Sequence, residues 1–379
     1  MVEVADGADY FFWKRLLFRL ENQTEFGLPA EWYTPNRLIE GGVGATLPHR
    51  GTDNGTLSDA GWNAIADWAF ARGTDSLIVM KDGAIVQERW SDDTNPGMLM
   101  PVRSMAKTLP GLLIGRAIAE GHIHSVDEPL STYLNEWKHD SRGAITIRQI
   151  LTQTSGLATI PLEYTPDNWQ IRLAEGSDVN ATALDWPLEG PPDRRWTINQ
   201  VDTQILALVL ERATGQDYID YLSRELWRPI GADTSTINVD AKGKARAFCC
   251  MRSRLYDWLR VGELIRLNGR VGDRQVIPAD WLSQMRTAAP VNPYVGYHLW
   301  IGWKPGTPEV KGEPFLQVPH NAPYRTDDVV YLLGGSIMTV WVVPSRGLTI
   351  LRSGKNPDDW DHSHIVNAII DDLDRHETR

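Results

Sequence analysis

Two apolar, alternating segments lie at opposite ends of this chain and fix most of its architecture. Near the start, SLIVMKDGAIVQERW (Ser76–Trp90) alternates on both sides of Lys81-Asp82-Gly83. That is the pattern of a β-hairpin with a glycine turn. Near the end, SIMTVWVVPS and GLTILRSG form a second such pair over Ser336–Gly354. Between them the periodicity is helical: from Ser104 to about Glu120 with Gly121 as a stop, then 145–157 (capped near Thr146), 202–215, 216–231, 255–269 and 278–288. Residues 62–72 and 361–376 read as further helices. The expected fold is α/β (α+β). One antiparallel sheet is built from the N- and C-terminal hairpins, the first and last helices cover it, and a helical region is inserted between. The expected division is a sheet region of 1–103 plus 325–379 and a helical region of 104–324. Residues 158–195, rich in Pro, Gly, Asp and Trp, predict a long ordered loop of the kind that often carries function.

Charge narrows the partners. The 379 residues carry a formal charge of −11, and no local Lys/Arg run offsets it. This speaks against nucleic acid and anionic membranes as partners, since both need basic patches. No apolar run reaches the ~18 residues of a membrane span. The N-terminus lacks the basic start and long apolar stretch of a signal peptide, so a cytoplasmic protein is expected, or a periplasmic one if a leader has been removed. YFFWKRLLFRL, within that N-terminal stretch, reads as a helix packed on the body, with an interfacial membrane anchor as the alternative. The two cysteines, Cys249 and Cys250, are sequence neighbours. Such neighbours rarely bridge, so both are expected to be small buried side chains. His122 with His124 and His362 with His364 lack the i, i+4 spacing of a helical metal site, and no cofactor is expected.

One short motif carries chemistry. Ser104-Met105-Ala106-Lys107 opens the helix, and positions i and i+3 share a face. A serine at a helix N-terminus has free backbone N–H groups around it, which favour developing negative charge. Its hydroxyl is a poor nucleophile until a base takes its proton, and a buried lysine can be that base. Pro110, inside the same helix, predicts a kink just past Lys107.

Several stretches together resemble the serine β-lactamase and penicillin-binding-protein superfamily, in its branch of class C-like esterases, amidases and 6-aminohexanoate-dimer hydrolases. SMAKTLPGLLIGRAIAEGHIHSVDEPLSTYL is similar to that family's nucleophile helix, ITIRQILTQTSGL to its next helix, and LERATGQDYIDYLSRELWRPIGA and RVGELIRLNGRVGDRQVIPADWLSQM to later ones. The likeness runs from about Ser76 to Gly354. It implies the β-lactamase-like fold and two-step acyl transfer, with Ser104 as nucleophile and Lys107 as its partner in proton transfer. One oxyanion donor would be the backbone N–H of Ser104. The other would come from the strand at Gly334-Gly335-Ser336, which resembles the family's third motif.

Two departures bear on activity. Members of this branch carry a general-base tyrosine just before the DTQILALVLE-type helix, and here that position is Ile198. Three groups could replace it: Thr197, with Asn199 following to bind the substrate carbonyl; Tyr164 from the long loop; or Lys107 alone. The third motif reads GGSIM and lacks the cation that holds a β-lactam carboxylate. That favours an esterase or amidase acting on a small ester or amide over a β-lactamase or D,D-peptidase. A protein that has lost catalysis and keeps the fold for binding is the reading Ile198 would favour. Neither the exact substrate nor the oligomeric state is legible in the sequence.

Overall fold

The structure, a computed structural model, describes residues 10–22, 34–44, 46–50, 57–307 and 318–377. Its helices are α1 (Tyr10–Asn22), α2 (Asp59–Phe70), α3 (Thr108–Ala119), α4 (Ile147–Leu151), α5 (Trp169–Glu175), α6 (Val179–Asp185), α7 (Gln200–Thr214), α8 (Tyr218–Leu222), α9 (Leu255–Arg266), α10 (Ala279–Met285) and α11 (His364–Glu377). Its strands are β1 (Asn36–Ile39), β2 (Thr74–Lys81), β3 (Ala84–Trp90), β4 (Met100–Pro101), β5 (Ser235–Asn238), β6 (Met251–Ser253), β7 (Arg270–Val271), β8 (Arg274–Gln275), β9 (Trp300–Ile301), β10 (Val330–Gly334), β11 (Met338–Val343) and β12 (Leu348–Gly354). They fall into two compact units. The first comprises Met1–Gly41, Pro101–Trp227 and Thr234–Arg252; the second comprises Gly42–Met100, Arg228–Asp233 and Ser253–Arg379.

The second unit is built on the sheet expected from the hairpins. Six strands run in the order β3-β2-β12-β11-β10-β9. The N-terminal hairpin turns at Asp82 and Gly83, both at positive φ (51° and 82°), as a two-residue hairpin loop requires. The two ends of the chain meet where β2 pairs antiparallel with β12, Lys81 opposite Leu348 through Arg352 opposite Leu77. Alternation then sorts the strand residues between two covered faces. Leu77, Val79, Trp341, Val343 and Ile350 join Trp62, Ile65, Ala66 and Ala69 of α2 and Ile365, Val366 and Ile369 of α11 in one buried core. Each Leu, Val or Ile among them contributes about 1.5–3 kcal/mol on burial. Ser58 caps α2 by accepting from the Gly61 N–H at 2.9 Å, and its own N–H and hydroxyl donate to Asp372 of α11 at 2.8 and 3.0 Å. The helices over this face are thus α2 and α11.

The opposite face holds α9. Thr349 of β12 donates its hydroxyl to Glu263 of α9 at 2.6 Å. A Cβ on Gly262 would lie 2.6 Å from the Thr349 methyl and 2.9 Å from Val340. Residues 253–307 and 318–324, expected with the helical region, lie in the unit of the sheet.

In the first unit, α7 is the hub. Val201–Leu210 is buried without a break, because α3, α4, α6 and α8 all pack on it. Gly215, at φ 68°, ends it in a left-handed turn. A four-stranded sheet of order β1-β5-β6-β4 escapes notice in the sequence because its strands are two to four residues long. N-terminal α1 packs on α5, where buried Arg15 pairs with buried Glu175 at 2.6 Å. The stretch 158–195 is not one loop. It contains α5 and α6, each capped by a preceding side chain, Asn168 and Asp178. Seven residues are too few to show a period, so the two caps were the legible signal.

Gly262→Val tests the seat of α9. The added methyls have no room beside Val340 and Thr349, and overpacking of this kind costs about 1–3 kcal/mol. The urea midpoint of the variant is expected to fall with the fold retained by circular dichroism; an unchanged midpoint contradicts this packing.

Candidate active site

The chain enters the site through strained backbone. Arg103 sits at φ 54°, a conformation disfavoured for any residue with a side chain. A 3₁₀ turn over Arg103–Lys107 then leads into α3 at Thr108. Ser104 thus precedes the α-helix rather than opening it. Pro110 is the third residue of α3, in the first turn, where most amides have no intrahelical partner. The helix changes type at Lys107, close to where the proline predicted a break.

The 3₁₀ turn brings Ser104 and Lys107 together. Lys107 Nζ donates to Ser104 Oγ at 3.0 Å and to the Phe248 carbonyl at 3.0 Å. Lys107 is only 8% exposed, whereas Ser104 is half-buried and open to a reactant. Both partners of the amine are neutral. Burial therefore acts unopposed on the charged form and lowers the lysine from its ordinary value near 10.5 to about 7. A lysine poised there can take the serine proton near neutrality. No sequence pattern marks Phe248, since its contribution is a backbone oxygen. Its position is fixed from α7. Gln204 accepts from the Ala247 N–H at 3.1 Å and donates to the Ala245 carbonyl at 3.0 Å.

The other residues expected around the serine have different surroundings. Thr197 donates its backbone N–H to the Gln153 carbonyl at 3.1 Å, and its hydroxyl makes no hydrogen bond to Ser104 or Lys107. Asn199 is the N-cap of α7. Its carboxamide oxygen accepts from Val201 N–H at 3.3 Å, and its NH₂ donates to the Leu157 and Ala158 carbonyls at 3.4 and 3.3 Å. Those bonds occupy the groups expected to meet a substrate carbonyl. Tyr164 packs against the small cluster of Phe12, Leu16 and Ile171, and its buried hydroxyl has no hydrogen-bond partner among the described residues. A further buried acid, Asp202 of α7, accepts from Ser155 Oγ at 2.7 Å. Burial raises its pKa to about 8, so it ties the 152–157 turn to α7 as a neutral group.

In the second unit, β10 ends at Gly334, and Gly335, Ser336 and Ile337 make a tight turn into β11. Ser336 and Ile337 both have positive φ (61° and 52°), rare for a β-branched residue. Buried Arg352 holds the turn, donating to the Ser336 carbonyl at 2.7 Å and to that of Ile337 at 3.3 Å.

The cysteines depart from expectation. Cys249 and Cys250, directly after Phe248, form a disulfide, and both are half-buried rather than enclosed. A left-handed backbone at Cys250 (φ 66°) accompanies the bridge.

A family profile described as Beta-lactamase matches residues 66–353. Among curated proteins, a 229-residue stretch is 24% identical to the 6-aminohexanoate-dimer hydrolase of Paenarthrobacter ureafaciens, covering 56% of this chain and 57% of that protein. Protein flp of Staphylococcus aureus (strain MRSA252) is 25% identical over 167 residues, 41% of this chain and 33% of that protein. The matches therefore span little more than half of one relative and a third of the other. Among solved structures, a candidate 6-aminohexanoate-dimer hydrolase from Bacillus anthracis has a TM-score of 0.73 at 19% identity, covering 92% of both chains. A class C beta lactamase from Rhodobacter sphaeroides has 0.59 at 15%, covering 84% of this chain and 99% of that one. At these identities the structural likeness establishes the fold, which is the one expected.

The lysine sets two pH dependences. Only neutral Lys107 can accept a proton, so kcat/KM for ester hydrolysis is expected to drop about tenfold per unit below pH ~7. Stability follows the opposite cause. Lys107 binds its proton less tightly in the folded chain than in the unfolded one, so between about 7 and 10.5 the unfolded chain holds more protons and stability rises with pH. Lys107→Met removes both the desolvation penalty and that rise. It is expected to be inactive yet more stable near neutral pH, measured by urea unfolding at several pH values. A variant less stable than the parent contradicts the uncompensated burial.

Proposed function

The chain belongs to the beta-lactamase family, and we propose that it is a serine hydrolase that cleaves a small ester or amide through an acyl-enzyme on Ser104. The observation that carries this reading is the 3.0 Å contact between Ser104 Oγ and a lysine amine lowered to about 7. Neutral Lys107 takes the hydroxyl proton as Ser104 Oγ attacks the substrate carbonyl carbon. The Ser104 N–H supports the developing oxyanion, a donor worth about 3–4 kcal/mol in the transition state. The lysine ammonium returns the proton to the departing alcohol or amine. Water, deprotonated by the same amine, then attacks the acyl-enzyme, releases the acid and restores Ser104. The Phe248 carbonyl keeps the amine in place through both half-reactions.

Lys107 is the sole base in this reading. Asn199 is occupied in capping α7, Tyr164 is packed in an apolar cluster, and neither it nor Thr197 is bonded to the Ser104–Lys107 pair. The Paenarthrobacter relative's name places amides beside esters among the substrates to try.

Arginine keeps a charge at position 107 but cannot deprotonate in a protein. Lys107→Arg is therefore expected to lower kcat on a p-nitrophenyl ester by at least about 100-fold. Thr197→Val and Tyr164→Phe are expected to leave kcat within about threefold, and Ile198→Tyr to give no large gain, since a phenol there needs a hydrogen-bond partner. A near-normal rate for the arginine variant removes Lys107 from the mechanism. A large gain from Ile198→Tyr shows instead a site that has lost its base.

A further inference from the structure

The carbonyl that holds Lys107 belongs to the residue directly before a disulfide. Phe248 accepts from Lys107 Nζ, and Cys249 and Cys250 are bridged to each other. The segment is anchored on both sides. Cys249 N–H donates to the Arg246 carbonyl at 3.3 Å, and the Cys250 carbonyl accepts from Asn238 N–H at 2.9 Å. Arg246, fully buried, donates to Asn238 Oδ1 at 2.9 Å. Within this frame Cys250 is left-handed at φ 66°, a conformation that a residue with a Cβ leaves when nothing holds it. The disulfide is a covalent restraint that keeps it there. Both cysteines are half-buried, so a small reagent in solvent can reach a pair that lies next to the anchor of an almost wholly buried amine.

We propose that Cys249–Cys250 is a redox-modification site for small dithiols, and that opening the bridge releases the Phe248 carbonyl from Lys107 and slows acyl transfer. One thiolate of the dithiol attacks a cysteine sulfur, the S–S bond breaks, and the other cysteine leaves as a thiolate that takes up a proton. The second thiol of the reagent then displaces the mixed disulfide. The protein gains two electrons and two protons, and the dithiol is oxidised to its cyclic disulfide. The cysteines act here by position, through Phe248, and touch no substrate. The effect on rate rests on the reading of Lys107 as base.

The test compares the protein before and after dithiothreitol, with thiols counted by Ellman's reagent and p-nitrophenyl ester kinetics read after desalting. The untreated protein is expected to show no free thiol. Reduction is expected to expose both cysteines and to lower kcat about tenfold or more, with KM within about twofold, the cost of a base displaced by an ångström or less. Oxidised dithiothreitol is expected to restore the rate, which a loss of folding would not allow. Cys249→Ser and Cys250→Ser are expected to start at the reduced rate and ignore the reagent. Full kcat with both thiols titrated overturns the proposal, as does a native protein whose thiols are free and resist oxidation. Fluorophosphonate labelling separates the two readings. No labelling of Ser104 in either state removes the hydrolase mechanism, whereas equal labelling rates in both states remove only the redox control.

Discussion

Lys107 is held 3.0 Å from Ser104 Oγ in a place almost closed to water, and its second partner is a neutral carbonyl rather than a carboxylate. A carboxylate there would favour the charged amine and keep it from accepting a proton. The surrounding structure keeps that arrangement. α3 carries Leu109, Leu112 and Leu113 into the core, α7 fills the space beside it, and Gln204 of α7 pins the 245–247 segment that leads to Phe248. The desolvated lysine destabilises the folded chain, and the unbroken burial of α7 from Val201 to Leu210 offsets that cost.

The second unit contains a buried cation of a different kind. Arg352 donates to the carbonyls of Ser336 and Lys355 and to the Thr74 hydroxyl, and stacks on Trp360 with its guanidinium carbon 4.6 Å from the ring. Burial lowers it too, to about 10, yet arginine still keeps its proton at neutral pH. Lysine, with a lower intrinsic value, is only about half protonated there once burial brings it to about 7. The two side chains therefore serve opposite ends. One stays charged and holds a strained turn at Ser336-Ile337; the other gives up its charge and can accept a proton.

The sheet was legible because its strands are long and alternate, and because Asp82-Gly83 has turn chemistry that few other pairs share. The Ser104–Lys107 pair was legible because three residues on a helical turn fix a shared face whether the turn is 3₁₀ or α. Three features were hidden for physical reasons. Phe248 contributes a main-chain oxygen 141 residues from Lys107, and main-chain groups carry no residue signature. The strands of the first unit are too short to show alternation. The Cys249–Cys250 bridge depends on a left-handed backbone that sequence spacing does not reveal. The roles expected of Thr197, Tyr164 and Asn199 came from filling the gap at Ile198, and the capping bonds of Asn199 show how a polar residue near a site can be fully engaged in holding a helix.

Peptide mapping by mass spectrometry after reaction with a fluorophosphonate tests the central claim most directly. The account predicts a single adduct on Ser104, whose formation rate rises through pH ~7 as Lys107 loses its proton and collapses in Lys107→Met. An adduct on another serine, or one on Ser104 that forms at the same rate without the lysine, contradicts it.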